Sequence, residues 1–170
     1  MRFTVADLVR LPPYRVQPTA IALGESVDWS LSNARDLWKQ TSGEGIKVAV
    51  LDNGCDIVHP ALVNQIDSHV DFTGRGWVAG DHGTPVCSIL AGEENGVGII
   101  GGAPKVRLHV GQIMYGPSGD LMWMAAGLRW AIDDVDADII NISAGFPTSY
   151  PTIQNLIQGG ISMGKIFAIA

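Results

Sequence analysis

The feature that most limits the fold is a series of short apolar runs, each set apart from the next by a polar or amphipathic stretch. Ile139-Ile140-Asn141-Ile142 is the sharpest of them, since an extended chain of this composition carries apolar side chains on both of its faces. Strands of that kind belong to parallel sheets covered by helices on each side. Alternation of such runs with helical stretches is the pattern of α/β architecture. It predicts strands at 47–51, about 68–72, 106–114, 138–143 and 166–170. A helix is expected over 120–134, where Leu121, Met124, Leu128 and Ala131 recur at three- and four-residue steps and form one buried face. Another is expected over 150–163, with Pro151 tolerated in its first turn and Gly164 where a helix stops.

The first residues read differently. Leu11-Pro12-Pro13-Tyr14 and Pro18 mark an extended segment, and 28–40 reads as a short helix with Trp29, Leu37 and Trp38 free to dock on the body. We therefore divide the chain into an N-terminal extension with a docking helix, 1–44, and an α/β domain, 45–170.

Length and charge narrow the function classes. A chain of 170 residues buries about 70% of its unfolded surface, enough for one core without staples. Cys55 and Cys87 are too few for a disulfide framework and favour a reducing compartment, so a cytoplasmic location is expected. The opening Met1-Arg2-Phe3-Thr4-Val5-Ala6-Asp7 breaks its apolar run with charge too early for a signal peptide, and no run of about 20 apolar residues is present to span a membrane. A net charge of -6 disfavours a nucleic-acid partner, which selects a basic surface.

Active sites of open parallel sheets lie beyond the carboxyl ends of their strands, and three segments reach that rim. Asp52 ends Ile46-Lys47-Val48-Ala49-Val50-Leu51-Asp52 and leads into Asn53-Gly54-Cys55-Asp56 and His59-Pro60. His82 stands 30 residues later in Gly80-Asp81-His82-Gly83-Thr84-Pro85-Val86, where a turn gives way to a helix-compatible stretch. Ser143-Ala144-Gly145 follows the strand at 138–143. A strand-terminal Asp taken alone often only caps a turn, and a lone His can simply start a helix. A carboxylate and an imidazole placed together at this rim are two members of a Ser-His-Asp relay. A dinucleotide site is the weaker rival, because Gly96-Val97-Gly98-Ile99-Ile100-Gly101 follows a helix where a strand is required.

Four blocks in fixed order now matter: Val-Ala-Val-Leu-Asp-Asn-Gly before a His-Pro, then His-Gly-Thr-Pro-Val, then Gly102-Ala103-Pro104, then Asn141-Ile142-Ser143-Ala144-Gly145. Over residues 45–170 this order resembles the subtilisin family of serine endopeptidases. The resemblance implies the N-terminal portion of a subtilisin-like three-layer α/β sandwich with a mostly parallel sheet. It also implies that Asp52 orients the imidazole and that His82 is the general base. Ser143, Ala144 and Gly145 match the family's Ser-Leu-Gly edge, and Pro117, Ser118 and Gly119 match the opposing edge. An extended peptide or protein substrate would then add as a strand between the two. Ala144, smaller than the usual residue, should leave the pocket wall open.

The chain departs from the family pattern in places. Pro85 replaces a second His and Cys87 a small residue, both read as packing variation on the helix below the site. Asn95, Val97 and Ile99 match a loop that wraps calcium in many relatives, but Ala61 replaces the expected carboxylate. Losing a charged ligand weakens a hard-cation site, so neither a metal nor another cofactor is expected.

The third member of the relay is missing. By the resemblance, the strand at 166–170 should run into a Gly-Asn that lines the oxyanion hole, with a Gly-Thr-Ser-Met nucleophile much later, and 170 residues reach neither. Gly160-Ile161-Ser162-Met163-Gly164 fits G-x-S-x-G only in letters, because a nucleophile elbow needs strand, turn, helix and here a helix precedes a strand. In a subtilisin, loss of the serine costs on the order of a million-fold in turnover. The 170-residue chain alone is therefore expected to be inactive, with a C-terminal half of the same protease supplying the rest. The rival is a catalytically inactive peptide-binding module derived from the family. An unpaired apolar edge at 166–170 is an aggregation liability, which favours a covering remainder.

Leu11-Pro12-Pro13-Tyr14, with Leu-Asp-x-Gly-Cys-Asp at 51–56, looks like the intracellular subtilisins, which carry a short inhibitory extension with a similar Leu-x-Pro-Tyr. Leu11, Pro12, Pro13 and Tyr14 would lie across the cleft, protected from cleavage because proline lacks the N–H and bends the chain. A plain Pro-rich linker is the other reading of the same four residues.

Overall fold

The computed structural model describes residues 34–93, 95, 100–145 and 148–170. In chain order its elements begin with α1 (Ala34–Leu37), β1 (Lys47–Asp52), β2 (Ile66–Asp71), α2 (Gly83–Ala91) and β3 (Arg107–Gln112). A small hairpin of β4 (Met114–Tyr115) and β5 (Ser118–Gly119) follows, then α3 (Leu121–Arg129), β6 (Ile139–Ile142), α4 (Pro151–Ser162) and β7 (Ile166–Ile169). Five strands form one sheet in the order β2-β3-β1-β6-β7, and every pairing in it is parallel. The hairpin is separate and antiparallel.

Alternation along β1 explains the layering. Val48 and Val50 point into a cluster with Leu108, Val110, Leu62 and the Cys87 and Ala91 of α2. Ala49 and Leu51 point the other way, into a cluster with Ile140, Ile142 and the Met124 and Leu128 of α3, against which Ile153, Leu156 and Ile157 of α4 pack. Helices thus cover both faces, giving the three-layer α/β sandwich. Burial on both faces is what demanded strands without polar alternation. Leu51, Leu108, Leu128 and Ile140 are fully buried, and truncating any of them to Ala costs about 2 to 5 kcal/mol.

Several boundaries differ from those the sequence predicts. The run at 106–114 is two elements: β3 stops at Gln112, Ile113 N donates to Asp52 O at 2.8 Å, and Met114 opens the hairpin. The helix expected over 120–134 is α-helical only to Arg129, then widens into a π turn at Trp130–Asp134, closed by Val135 N donating to Trp130 O at 2.9 Å. Asp136 then adopts φ 53°, which turns the chain toward β6. Leu37 does not dock, being 55% exposed, whereas the Trp38 indole donates to Gly102 O at 2.8 Å. Trp29 lies outside the described residues, as do Leu11, Pro12, Pro13 and Tyr14.

Candidate active site

Two strands and one helix set the site. β1 and β3 run in register to their carboxyl ends, which places Asp52 beside Gln112. Gln112 is wholly buried and organises the loop that leads to His82. Its Nε2 donates to Gly76 O at 3.0 Å, and its Oε1 accepts from Val78 N at 2.9 Å. The loop then folds back over Asn53 and Gly54. Gly80 and Gly83 permit that approach, since a Cβ on either would sit 2.2 Å from Asn53 Oδ1 or 2.0 Å from Gly54 O. His82 is delivered at the N-terminus of α2.

There the His82 Nδ1 lies 2.9 Å from Asp52 Oδ1 and 3.0 Å from Oδ2. An ionised carboxylate only accepts, so Nδ1 carries a ring proton, and in the neutral imidazole the lone pair is then on Nε2. Asp52 also accepts from Asn53 N at 2.7 Å. The two partners differ sharply in access, with the Asp52 side chain 1% exposed and that of His82 57% exposed. A buried carboxylate holding the Nδ1 edge of an open imidazole can fix the ring's tautomer and orientation, leaving Nε2 able to take a proton from a group arriving from solvent.

A cleft of about 340 Å³ is lined by Pro117, Ser118, Gly119, Ala144 and Gly145, with Ile113 and Met124 among its apolar side chains. Five of the six residues expected to contact substrate are thereby brought together. Ser143 is not in the lining; its hydroxyl accepts from Asn141 Nδ2 at 3.0 Å. The hairpin supplies one wall because Gly116, at φ 56°, lets the chain reverse so that Tyr115 faces Ser118. Ala144 and Gly145 also border a second, largely apolar cleft of about 160 Å³ over Ile142, Ile153 and Ile157.

Ser162 is remote from this chemistry. It lies in the last turn of α4, where its hydroxyl donates to Gln158 O at 2.9 Å. Ala61 is wholly buried and Asn95 Nδ2 donates to Pro60 O at 2.8 Å, while Val97 and Ile99 lie outside the described residues. Among the described residues no three His, Cys, Asp or Glu side chains are grouped to hold a metal, and no helix is long and apolar enough to cross a membrane.

Residues 43–170 match the family model described as the subtilase family, a span that begins just before β1 and takes in the site and both clefts. The chain belongs to the subtilase family. Among curated subtilases, it is 32% identical over 173 aligned residues to the major intracellular serine protease of Bacillus subtilis, covering 95% of this chain and 54% of that protein. It is 35% identical over 134 residues to an intracellular serine protease of Paenibacillus polymyxa, with 74% of this chain and 41% of the relative covered. Subtilisin E of Bacillus subtilis is 33% identical over 132 residues, covering 76% of this chain and 34% of that protein. The chain thus spans about half, or less, of the length of these relatives. Sequence reasoning missed Asn53, Asp81 and Gln112 as parts of this subtilase site. The one signal for them was that Asn53 and Asp81 directly adjoin Asp52 and His82.

Proposed function

We propose that this chain is the Asp-His portion of a subtilisin-like serine endopeptidase acting inside the cell, whose serine and oxyanion donor come from a C-terminal half beyond these 170 residues. The observation that carries this is the contact between buried Asp52 and open His82 at 2.9 Å. His82 Nε2 takes the proton of the incoming serine hydroxyl as the oxygen attacks the peptide carbonyl, then returns it to the leaving amine. Asp52 holds the Nδ1–H tautomer and stabilises the imidazolium that forms between those steps.

The substrate is an extended polypeptide that joins the Ser118 to Gly119 and Ser143 to Gly145 segments as an added strand. Main-chain hydrogen bonds give affinity without sequence demands. The small Ala144 and the Ile113 and Met124 side chains in the lining then favour a bulky apolar side chain. No metal or other cofactor is assigned, because Ala61 brings a methyl group where a hard cation needs a charged oxygen. Leu11, Pro12, Pro13 and Tyr14 act as an inhibitory segment.

Fluorophosphonate labelling tests these assignments together, since the reagent needs a base-activated serine. The 170-residue chain takes up no label, whereas the longer product is labelled at a serine outside it, faster once residues 1–16 are deleted. Labelling at Ser162 would overturn the placement of the nucleophile. A longer product that binds peptide and takes no label is the inactive module instead.

A further inference from the structure

We propose that Asn53 is a positioning residue for the His82 imidazole, acting by clasping the residues on either side of it. Asn53 is 6% exposed. Its Nδ2 donates to Asp81 Oδ1 at 2.7 Å, and its Oδ1 accepts from Gly83 N at 3.0 Å. Its own main-chain N–H donates to Asp52 Oδ1 at 2.7 Å. One residue therefore bonds Asp52 itself and both chain neighbours of His82.

Chemistry fixes which way the amide points. The buried Gly83 N–H needs an acceptor and the Asp81 carboxylate can only accept, so only a side chain carrying both an acceptor and a donor can bond the two at once. The helix start explains the need. His82 occupies the N-cap of α2, with φ -100° and ψ -49°, and makes no side-chain capping hydrogen bond because its ring is turned to Asp52. The orphan N–H groups of a helix start must find acceptors elsewhere. Asn53 provides one from the end of β1, which frees the imidazole from capping and ties the helix start to the strand that carries Asp52. Any consequence for turnover rests on the function proposed above, but the clasp itself does not.

Proton NMR of the 170-residue chain tests the clasp through the rate at which the His82 Nδ1–H exchanges with water. Asp81 is on the surface, so D81A leaves the fold intact. Losing its single hydrogen bond to the amide quickens exchange by about 5-fold. N53A quickens it further. N53D keeps an acceptor for Gly83 but sets a carboxylate against Asp81, and it too exchanges fast. The double variant N53D/D81N reverses donor and acceptor, and slows exchange back toward the starting rate. A purely space-filling role for Asn53 predicts no such rescue. Wild-type exchange in both D81A and N53A, or a double variant no slower than N53D, overturns the proposal. Neither result bears on whether the longer product is labelled by a fluorophosphonate, so the two failures are distinguishable.

Discussion

Asp52 is a carboxylate in a place where a lone charge would be very costly, and two donors make it tolerable: the Asn53 N–H and the His82 ring. A second histidine is buried on different terms. His109 on β3 shares a hydrogen bond with Ser68 through Nδ1 at 2.7 Å, while its buried Nε2 has no hydrogen-bond partner among the described residues. Burial pushes the His109 imidazole below its ordinary value, Lys47 and Arg107 push the same way, and Asp67 opposes them. The folded state then binds fewer protons than the unfolded chain, so His109 contributes stability that is present above about pH 6.5 and is lost as the pH falls below it. The nearby carboxylates act lower on the scale. The Arg107 guanidinium holds Asp67 below the usual range, and Lys105 holds exposed Glu44 at about 2. The thermal midpoint should therefore fall between pH 7 and 5.5, and less steeply in H109Q. Equal slopes in the two proteins would show that His109 is not the source of the fall. At this scale, the meeting of Asp52 and His82 was legible because each ends or begins an element at the same rim. Asn53 was not. An asparagine after a strand-terminal Asp reads as a turn residue until the folded chain brings Gly80 and Gly83 against it.

The strands were legible as elements because their apolar character follows from burial on two faces, which is a property of a few consecutive residues. Their ends depend on contacts made far away in the chain. Nothing local in 106–114 marks the point where Ile113 leaves β3 to bond Asp52, nor does the apolar periodicity of 120–134 reveal a π turn that preserves nearly the same buried face. β7 is a further case. Among the described residues it pairs only with β6, at the edge of the sheet, with Ile166 62% exposed and Ile169 42% exposed. Such an apolar edge invites pairing with other chains. I166K should suppress concentration-dependent self-association of the 170-residue chain in light scattering, while changing stability by no more than about 0.5 kcal/mol, because the site is exposed. Unchanged association would mean that this edge is not the contact.

Across the whole molecule, one sheet carries the site at its rim and a helical layer on each face holds that rim in place. The four sequence blocks were enough to read the family, since their order along the chain is the order in which the fold uses them. The division of 1–44 from the rest rests on composition alone, because most of that extension lies outside the described residues. The match spans 54% of one intracellular relative and 41% of the other, and the proposed relay takes its serine from outside these residues. In the proposed relay His82 is the general base. The most direct test of that role is the hydrolysis of an unstructured polypeptide by the longer product, compared with its H82A variant. Loss of about 10⁴-fold or more in kcat, with the variant still folded and still binding peptide, is the result expected. Cleavage by H82A at an undiminished rate would contradict it.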